Sequence, residues 1–229
     1  MTRREFLKAL GISGCAIALP SFGRTSELER CREDIAYFAD NYITIHNHAG
    51  NAVKMTVQQR NYLGRVSSSS GRFVCVKGRQ VGVSTANNVF AYWKNVFFEN
   101  QHVWLVEPNM GMAERAAESF SSIDSDGGFR IDPYRIHFTS PHAMNFADWR
   151  DHNNTFILDE FAFWRNERVC EDIFTHVSTM PEDSAEFVVV STPTCVYSLF
   201  EGLFDCAGDD HRMVLTHAYD MSGLVERRA

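Results

Sequence analysis

The sequence predicts an α/β protein with a mainly parallel central sheet and helices on both of its faces. From residue 72 to residue 217, short β-prone apolar runs alternate with stretches of helical periodicity. Strands separated by helices favour parallel pairing, with the crossovers covering both faces. The run Arg72-Phe73-Val74-Cys75-Val76 and the run Thr155-Phe156-Ile157-Leu158-Asp159 are mostly apolar, as expected of strands buried inside such a sheet.

In chain order, 1–25 is a signal-like segment, and 23–26 looks like a linker. Leu28, Ile35, Phe38, Tyr42 and Ile45 fall at roughly helical spacing and predict helix over 27–47. A second helix, 57–66, ends at the serine run 67–70, a flexible connector. Strand 72–76, helix 84–98 and strand 102–106, ended by Pro108, come next. An amphipathic helix over 112–122 leads into an Asp/Gly-rich loop at 124–128. Residues 134–138 and 143–146 read as a hairpin split by Ser140-Pro141. A buried strand at 155–159, a helix at 167–179, a strand at 186–190, a short helix from Val196 and a last strand at 213–217 complete the pattern. No internal repeat is present. The chain divides into the segment 1–25, N-terminal helices at 26–70 and a core at 71–229.

Composition narrows the function. With 229 residues, 45% apolar and 22% charged, the chain has room for one large α/β domain or two small ones. A net charge of −7 excludes a global basic field, so nucleic acid would be met through local patches or another subunit. The six cysteines have no Cys-x-x-Cys or paired Cys/His spacing, which predicts reduced thiols and neither zinc nor a disulfide framework. No segment is long enough to span a membrane as an ordinary helix.

The chemistry concentrates in Lys77-Gly78-Arg79-Gln80-Val81-Gly82-Val83-Ser84-Thr85, a strand-to-helix turn, and in Asp159-Glu160 at a later strand end. Small residues let backbone N–H groups converge on a phosphate, with a helix N-terminus behind them. Gly78 and Gly82 supply that freedom, and Ser84 or Thr85 supplies a hydroxyl for Mg2+. The lysine ordinarily found before the hydroxyl is Val83, and Lys77 can reach back from the front of the loop to replace it. Arg79 is placed to act as an arginine finger on developing γ-phosphate charge. Asp159 is suited to hold Mg2+ through water, and Glu160 to orient and deprotonate the attacking water. Ser191-Thr192-Pro193-Thr194 ends the next strand, where hydroxyls can sense the γ-phosphate. In an open parallel sheet all three elements share the carboxyl edge, where ligands bind. This is the layout of a P-loop NTPase of the ASCE type, hydrolysing ATP with Mg2+.

In order and content these motifs resemble the ATPase domain of a tailed-phage terminase large subunit, the motor that packages viral DNA. Arg79-Gln80-Val81-Gly82-Val83-Ser84 is similar to the family's Arg-Gln-x-Gly-x-Ser/Thr loop, of which some members carry the lysine at its front, as Lys77 does here. Ile157 through Phe163 resembles the acidic strand end, and Ser191-Thr192-Pro193 the coupling motif. Met55-Thr56-Val57-Gln58-Gln59-Arg60 is similar to the adenine-sensing glutamine element, with Gln59 chosen over Gln58. Trp104 through Asn109, followed by Ala113-Glu114, resembles the second strand and helix; the likeness runs over roughly 30–225. It implies double-stranded DNA, a portal, a small terminase subunit and a homo-oligomeric ring as partners. No nuclease domain follows, so nuclease activity is not expected of this chain.

The N-terminus points elsewhere. Arg3-Arg4, an uncharged stretch from Ala9 to Leu19 and then Pro20 resemble a twin-arginine export signal, and residues 1–30 carry +2 against −9 for the rest. Ile12-Ser13-Gly14-Cys15 resembles a lipoprotein cleavage box, and Phe6, Leu7 and Leu10 also suit a plain amphipathic helix. An ATP-driven enzyme has no fuel outside the cytoplasm, so the core predicts a cytoplasmic protein and the N-terminus an exported one. Three alternatives to the motor therefore stand: an ATP-binding assembly module that scarcely hydrolyses, an exported passenger with vestigial motifs, and a helicase-like ATPase, for which the chain lacks a second motor domain. His46 and His48 read as surface histidines, Phe161, Phe163 and Trp164 as packing behind the acidic pair, and Asp205, Asp209 and Asp210 as a solvated loop.

Overall fold

A computed structural model describes residues 22–47, 49–69, 71–144, 149, 153–164, 169, 171–173, 175, 185–194 and 198–216. Its elements in chain order are α1 (Phe22–Glu33), α2 (Ile35–Tyr42), β1 (Ile43–His46), β2 (Ala52–Val53), α3 (Val57–Ser68), β3 (Arg72–Lys77), α4 (Val83–Phe97), β4 (Gln101–Val106), α5 (Met110–Ser121), β5 (Ile123–Ser125), β6 (Ile136–Thr139), β7 (Asn153–Leu158), β8 (Ala185–Ser191), α6 (Leu199–Cys206) and β9 (Arg212–Leu215).

Six strands form one sheet in the order β6-β4-β7-β8-β3-β9, and every pairing within it is parallel. Alternate side chains build two cores, as the period of a strand requires. On one face Phe73, Cys75, Val103, Leu105, Ile157, Val188 and Val190 join the helices of the N-terminal half. On the other, Val74, Trp104, Val106, Phe156, Leu158, Phe187 and Val189 pack with Trp149, Phe161, Trp164 and Phe200. The helix-covered parallel sheet expected from the alternation is thus the observed fold. The first core runs without a break from Cys31, Ile35 and Phe38 through Tyr62 and Leu63 into the sheet.

Helix α4 is N-capped by Gly82 and lies almost wholly inside, so its polar residues need partners. Lys94 pairs with Glu186 at 2.6 Å, Asn88 donates to Ser119 Oγ, and Asn95 exchanges hydrogen bonds with Asp132. Tyr62 of α3 donates its hydroxyl to Asn87 Oδ1 at 2.6 Å, joining α3 to α4 inside the core.

Several local expectations give way to tertiary contacts. The helix predicted over 27–47 breaks at Asp34, whose side chain caps α2, and ends at Tyr42. Ile43-Thr44-Ile45 is β-branched and alternates in burial, and it pairs antiparallel with β5 and β2 as a separate small sheet. That pairing also makes residues 123–125, at the start of the expected loop, a strand. Residues 23–26 belong to α1 rather than to a linker. Ser67 and Ser68 extend α3, and the hydroxyls of Ser67, Ser68 and Ser69 donate to carbonyls three residues back. Among the described residues the expected hairpin does not form: β6 is a parallel edge strand on β4, Pro141 opens a 3-10 turn, and residues 145–146 lie outside the described residues. Val196 lies outside the described residues, and the short helix expected from there is α6, capped by Ser198 and Glu201. The signal-like residues 1–21 also lie outside, as do His48 and most of the helix expected at 167–179. Among the described residues no helix is long and apolar enough to cross a membrane, and Cys31, Cys75 and Cys206 are free thiols.

Replacing Tyr62 by Phe leaves the Asn87 amide oxygen unpaired inside the core. Urea unfolding is expected to register a loss of about 1–3 kcal/mol, and a change below about 0.5 kcal/mol would show that this α3–α4 bond carries no net stability.

Candidate active site

The register of the parallel strands sets the site. Val76 lies opposite Ser191, and Leu158 lies opposite both Val189 and Val106. Lys77, Ser191, Asp159 and Glu107 therefore emerge together at the carboxyl edge, on four neighbouring strands.

The loop that follows β3 is held by its own apolar residues. Val81 and Val83 are buried in the first core, so the position before Ser84 is a packing position and carries no charge. Gly78 N–H donates to the Leu215 carbonyl at 2.7 Å. Gly82 caps α4 with φ of +77°, and a Cβ there would sit 2.5 Å from Gln59 Nε2. The left-handed backbone angle favours glycine, and a Cβ there would also displace the Gln59 amide from the Gly82 carbonyl. Gln59 has two tasks: its Oε1 accepts Thr56 N–H in the capping box of α3, and its Nε2 donates to the Gly82 carbonyl at 2.9 Å. Gln58 donates to the Thr216 carbonyl instead.

The charged groups meet behind this loop. Lys77 Nζ lies 2.6 Å from Glu160 Oε1 and 3.7 Å from Asp159 Oδ1, with its side chain only 8% exposed. Burial pulls the lysine toward neutrality, but Asp159 and Glu160 outweigh it and hold the ammonium above its ordinary pKa. Ser84 Oγ donates to Asp159 Oδ2 at 2.6 Å. Burial pushes the Asp159 carboxyl up, opposed by Lys77 and by the Ser84 hydroxyl. Glu160 has φ of +48°, a left-handed conformation uncommon for a residue with a Cβ. Its Oε2 accepts Thr192 N–H at 3.3 Å, and Ser191 Oγ accepts Ala162 N–H at 3.1 Å. The strand end at Ser191-Thr192 is thereby tied to the acidic turn. Trp164 Nε1 donates to the Asp159 carbonyl from behind, and Phe161 and Trp164 are buried packing.

Two cavities open on this edge. One of about 320 Å³ is lined by Ser84, Asn87, Glu107, Arg115 and Asp159, among others. The other, about 810 Å³, is lined by Arg79, Gln80, His142, Glu160 and Thr192. The structure thus brings Lys77, Ser84, Asp159, Glu160, Ser191 and Thr192 together and puts Arg79 and Gln80 on the crevice that Glu160 faces. Of the two candidate hydroxyls, Ser84 meets Asp159, while Thr85 lines a separate groove with Lys54 and Gln59. Pro193 is exposed beyond the cluster. His46 pairs with Asp124 and Asp209 with Arg212, both away from the site.

Glu107 was not singled out by sequence. Its only signal is that it ends an apolar strand as Asp159 does, and the importance of that emerges once β4 is known to adjoin β7. Burial, then Asp159 and Glu160, raise its pKa to about 8. Among the described residues no three His, Cys, Asp or Glu side chains form a metal cage. What exists is an open set of two carboxylates and a hydroxyl, which suits Mg2+ because that ion takes few protein ligands and completes its shell with water and phosphate oxygens.

No family model and no curated protein matches the sequence. Solved structures do. The chain is similar to the large terminase of bacteriophage HK97 (TM-score 0.59, 14% identity, 82% of this chain and 43% of that one). It is also similar to the large terminase of a thermophilic bacteriophage in complex with ADP (TM-score 0.51, 15% identity, 76% and 49%). The UvsW helicase of bacteriophage T4 is comparably similar (TM-score 0.57, 10% identity, 81% and 67%). The chain thus spans less than half the length of the two terminases. With the strand order described above, these likenesses establish the α/β fold of P-loop NTPases.

The raised pKa of Glu107 has a stability consequence. Between pH 4.5 and about 8 the folded state keeps a proton that the unfolded chain releases. Stability therefore falls as pH rises through that window, at up to about 1.4 kcal/mol per pH unit. Glu107→Gln removes this slope. In EDTA, denaturant unfolding is expected to find the variant close to wild type near pH 4.5 and more stable at pH 8; equal stability at pH 8 would refute the shift.

Proposed function

We propose that this protein is the ATP-hydrolysing motor domain of a phage DNA-packaging machine of the large-terminase kind. The observation that carries the proposal is the convergence, at the head of α4, of the Ser84 hydroxyl on Asp159 and of Lys77 on Glu160, each at 2.6 Å. The likeness to terminase structures supports it, one of them solved in complex with ADP.

In this reading the turn from Lys77 to Thr85 receives the phosphates against the N-terminus of α4. Mg2+, held by Ser84 with Asp159 behind it, supplies neutralisation of developing phosphate charge when bound. Arg79 reaches the γ-phosphate from the crevice it shares with Glu160. The Lys77–Glu160 pair acts as a latch. A phosphate draws the Lys77 ammonium toward itself, and Glu160 is then free to orient a water and accept its proton. Release of Glu160 also loosens its hold on Thr192 N–H, which gives Ser191 and Thr192 a route to transmit the event along β8 to a neighbouring element. Gln59 couples the loop to α3, where adenine binding would be felt. Double-stranded DNA, a portal, a small terminase subunit and a ring of like chains are the partners this reading implies, in the host cytoplasm.

A second reading has one observation in its favour. Glu160 is paired with Lys77, so an assembly module that binds ATP and keeps the base masked has the same geometry.

For the motor, Glu160→Gln is expected to lower DNA-stimulated ATP turnover by about 10²–10⁴-fold while nucleotide affinity stays within a few-fold. Lys77→Ala is expected to lose nucleotide binding. Full turnover by Glu160→Gln removes Glu160 as the base, tight binding without turnover in wild type selects the assembly module, and no nucleotide binding in wild type overturns both.

A further inference from the structure

The mechanism above leaves Glu107 unused. It follows β4 directly, and the pairing of Val106 with Leu158 sets it beside Asp159. Its N–H is spent on the Thr139 carbonyl at 2.9 Å. The residue is only 7% exposed, and its carboxylate makes no hydrogen bond or ion pair among the described residues. A buried carboxylate in that condition is costly unless a cation compensates it. The charges it feels are Asp159, Glu160, Lys77 and Arg115. Lys77 is already claimed by Glu160, and Arg115 directs its Nε to the Gly111 carbonyl on its own helix. Ionised, Glu107 would leave this cluster with three negative charges against two positive ones.

Asn87 provides an independent sign of a missing ligand. It is 1% exposed and lines the same 320 Å³ cavity as Glu107, Ser84 and Asp159. Its Oδ1 is taken by Tyr62, but its buried Nδ2 has no acceptor. That donor calls for an oxygen atom, which water or phosphate accompanying a cation would bring.

We propose that Glu107 and Asp159, with Ser84 Oγ, form a two-carboxylate seat that binds a hydrated divalent cation of Mg2+ size before any nucleotide arrives. The cation site at Ser84 and Asp159 is part of the ATPase reading. The addition here is Glu107, and with it a cation affinity that does not depend on phosphate oxygens. Metal would then be loaded first, and its charge would draw the nucleotide phosphates in.

Mn2+ titration of the nucleotide-free full-length protein, read as free Mn2+ by electron paramagnetic resonance, tests this. Wild type is expected to bind one Mn2+. Glu107→Gln and Asp159→Asn are each expected to weaken that binding about 10- to 100-fold, while Glu114→Gln, on the exposed face of α5, leaves it unchanged. Superimposable curves for wild type and Glu107→Gln overturn the seat, and so does absence of Mn2+ binding by wild type at millimolar concentration. Binding of a fluorescent ADP analogue, measured separately in EDTA, reads the nucleotide site. If it binds while the Glu107→Gln difference is missing, only the seat falls. If it fails to bind while that difference persists, only the nucleotide reading falls.

Discussion

Lys77 holds its ammonium in a nearly closed space between two carboxylates, 2.6 Å from Glu160 and 3.7 Å from Asp159, and the carboxyl edge is organised around that contact. The lysine ends β3 and the carboxylates follow β7, with β8 running between the two strands. One ion cluster therefore bridges three strands at the point where each leaves the sheet. Removing either sign would leave the other buried and unpaired, a loss much larger than the net worth of the pair. That asymmetry fixes the relative positions of the loop, the acidic turn and the strand end at Ser191.

The same constraint explains the division of labour in the loop. Val81 and Val83 are committed to the core and Gln59 to the Gly82 carbonyl, so the loop is anchored from below by packing and from the side by α3. The position before Ser84 carries no charge, and the cation nearest Asp159 and Glu160 stands instead at the end of the strand preceding the loop. That cation can serve as a switch, because a phosphate and Glu160 would compete for it. Glu160 in turn sits in a left-handed backbone conformation and accepts from Thr192 N–H, so a change in its partner has a direct path into β8.

Much of this was legible in the sequence. Alternation of strand and helix determined a parallel sheet covered on both faces, since neither element can bury its apolar side any other way. The turn at Lys77, the acidic pair at Asp159 and Glu160 and the hydroxyls at Ser191 and Thr192 were picked out by residue type and order, and the strand register brings them to one edge. Lys77 was singled out for its charge at the front of the turn, and the structure sets that charge against Glu160 and Asp159.

Other features depended on contacts distant in the chain. Helical spacing over 27–47 concealed β1, which exists because Ile43-Thr44-Ile45 finds Ile123 and its neighbours across a gap of about eighty residues. The choice of Ser84 over Thr85 came from which hydroxyl the helix start turns toward Asp159. Glu107 drew no notice as a glutamate before a proline, and the strand order alone set it beside Asp159, with its carboxylate unpaired among the described residues. Residue chemistry is written locally, and so the sequence by itself determined which groups this protein can use. Proximity is created by pairing strands far apart in the chain, so only the tertiary structure decided which of those groups share a site.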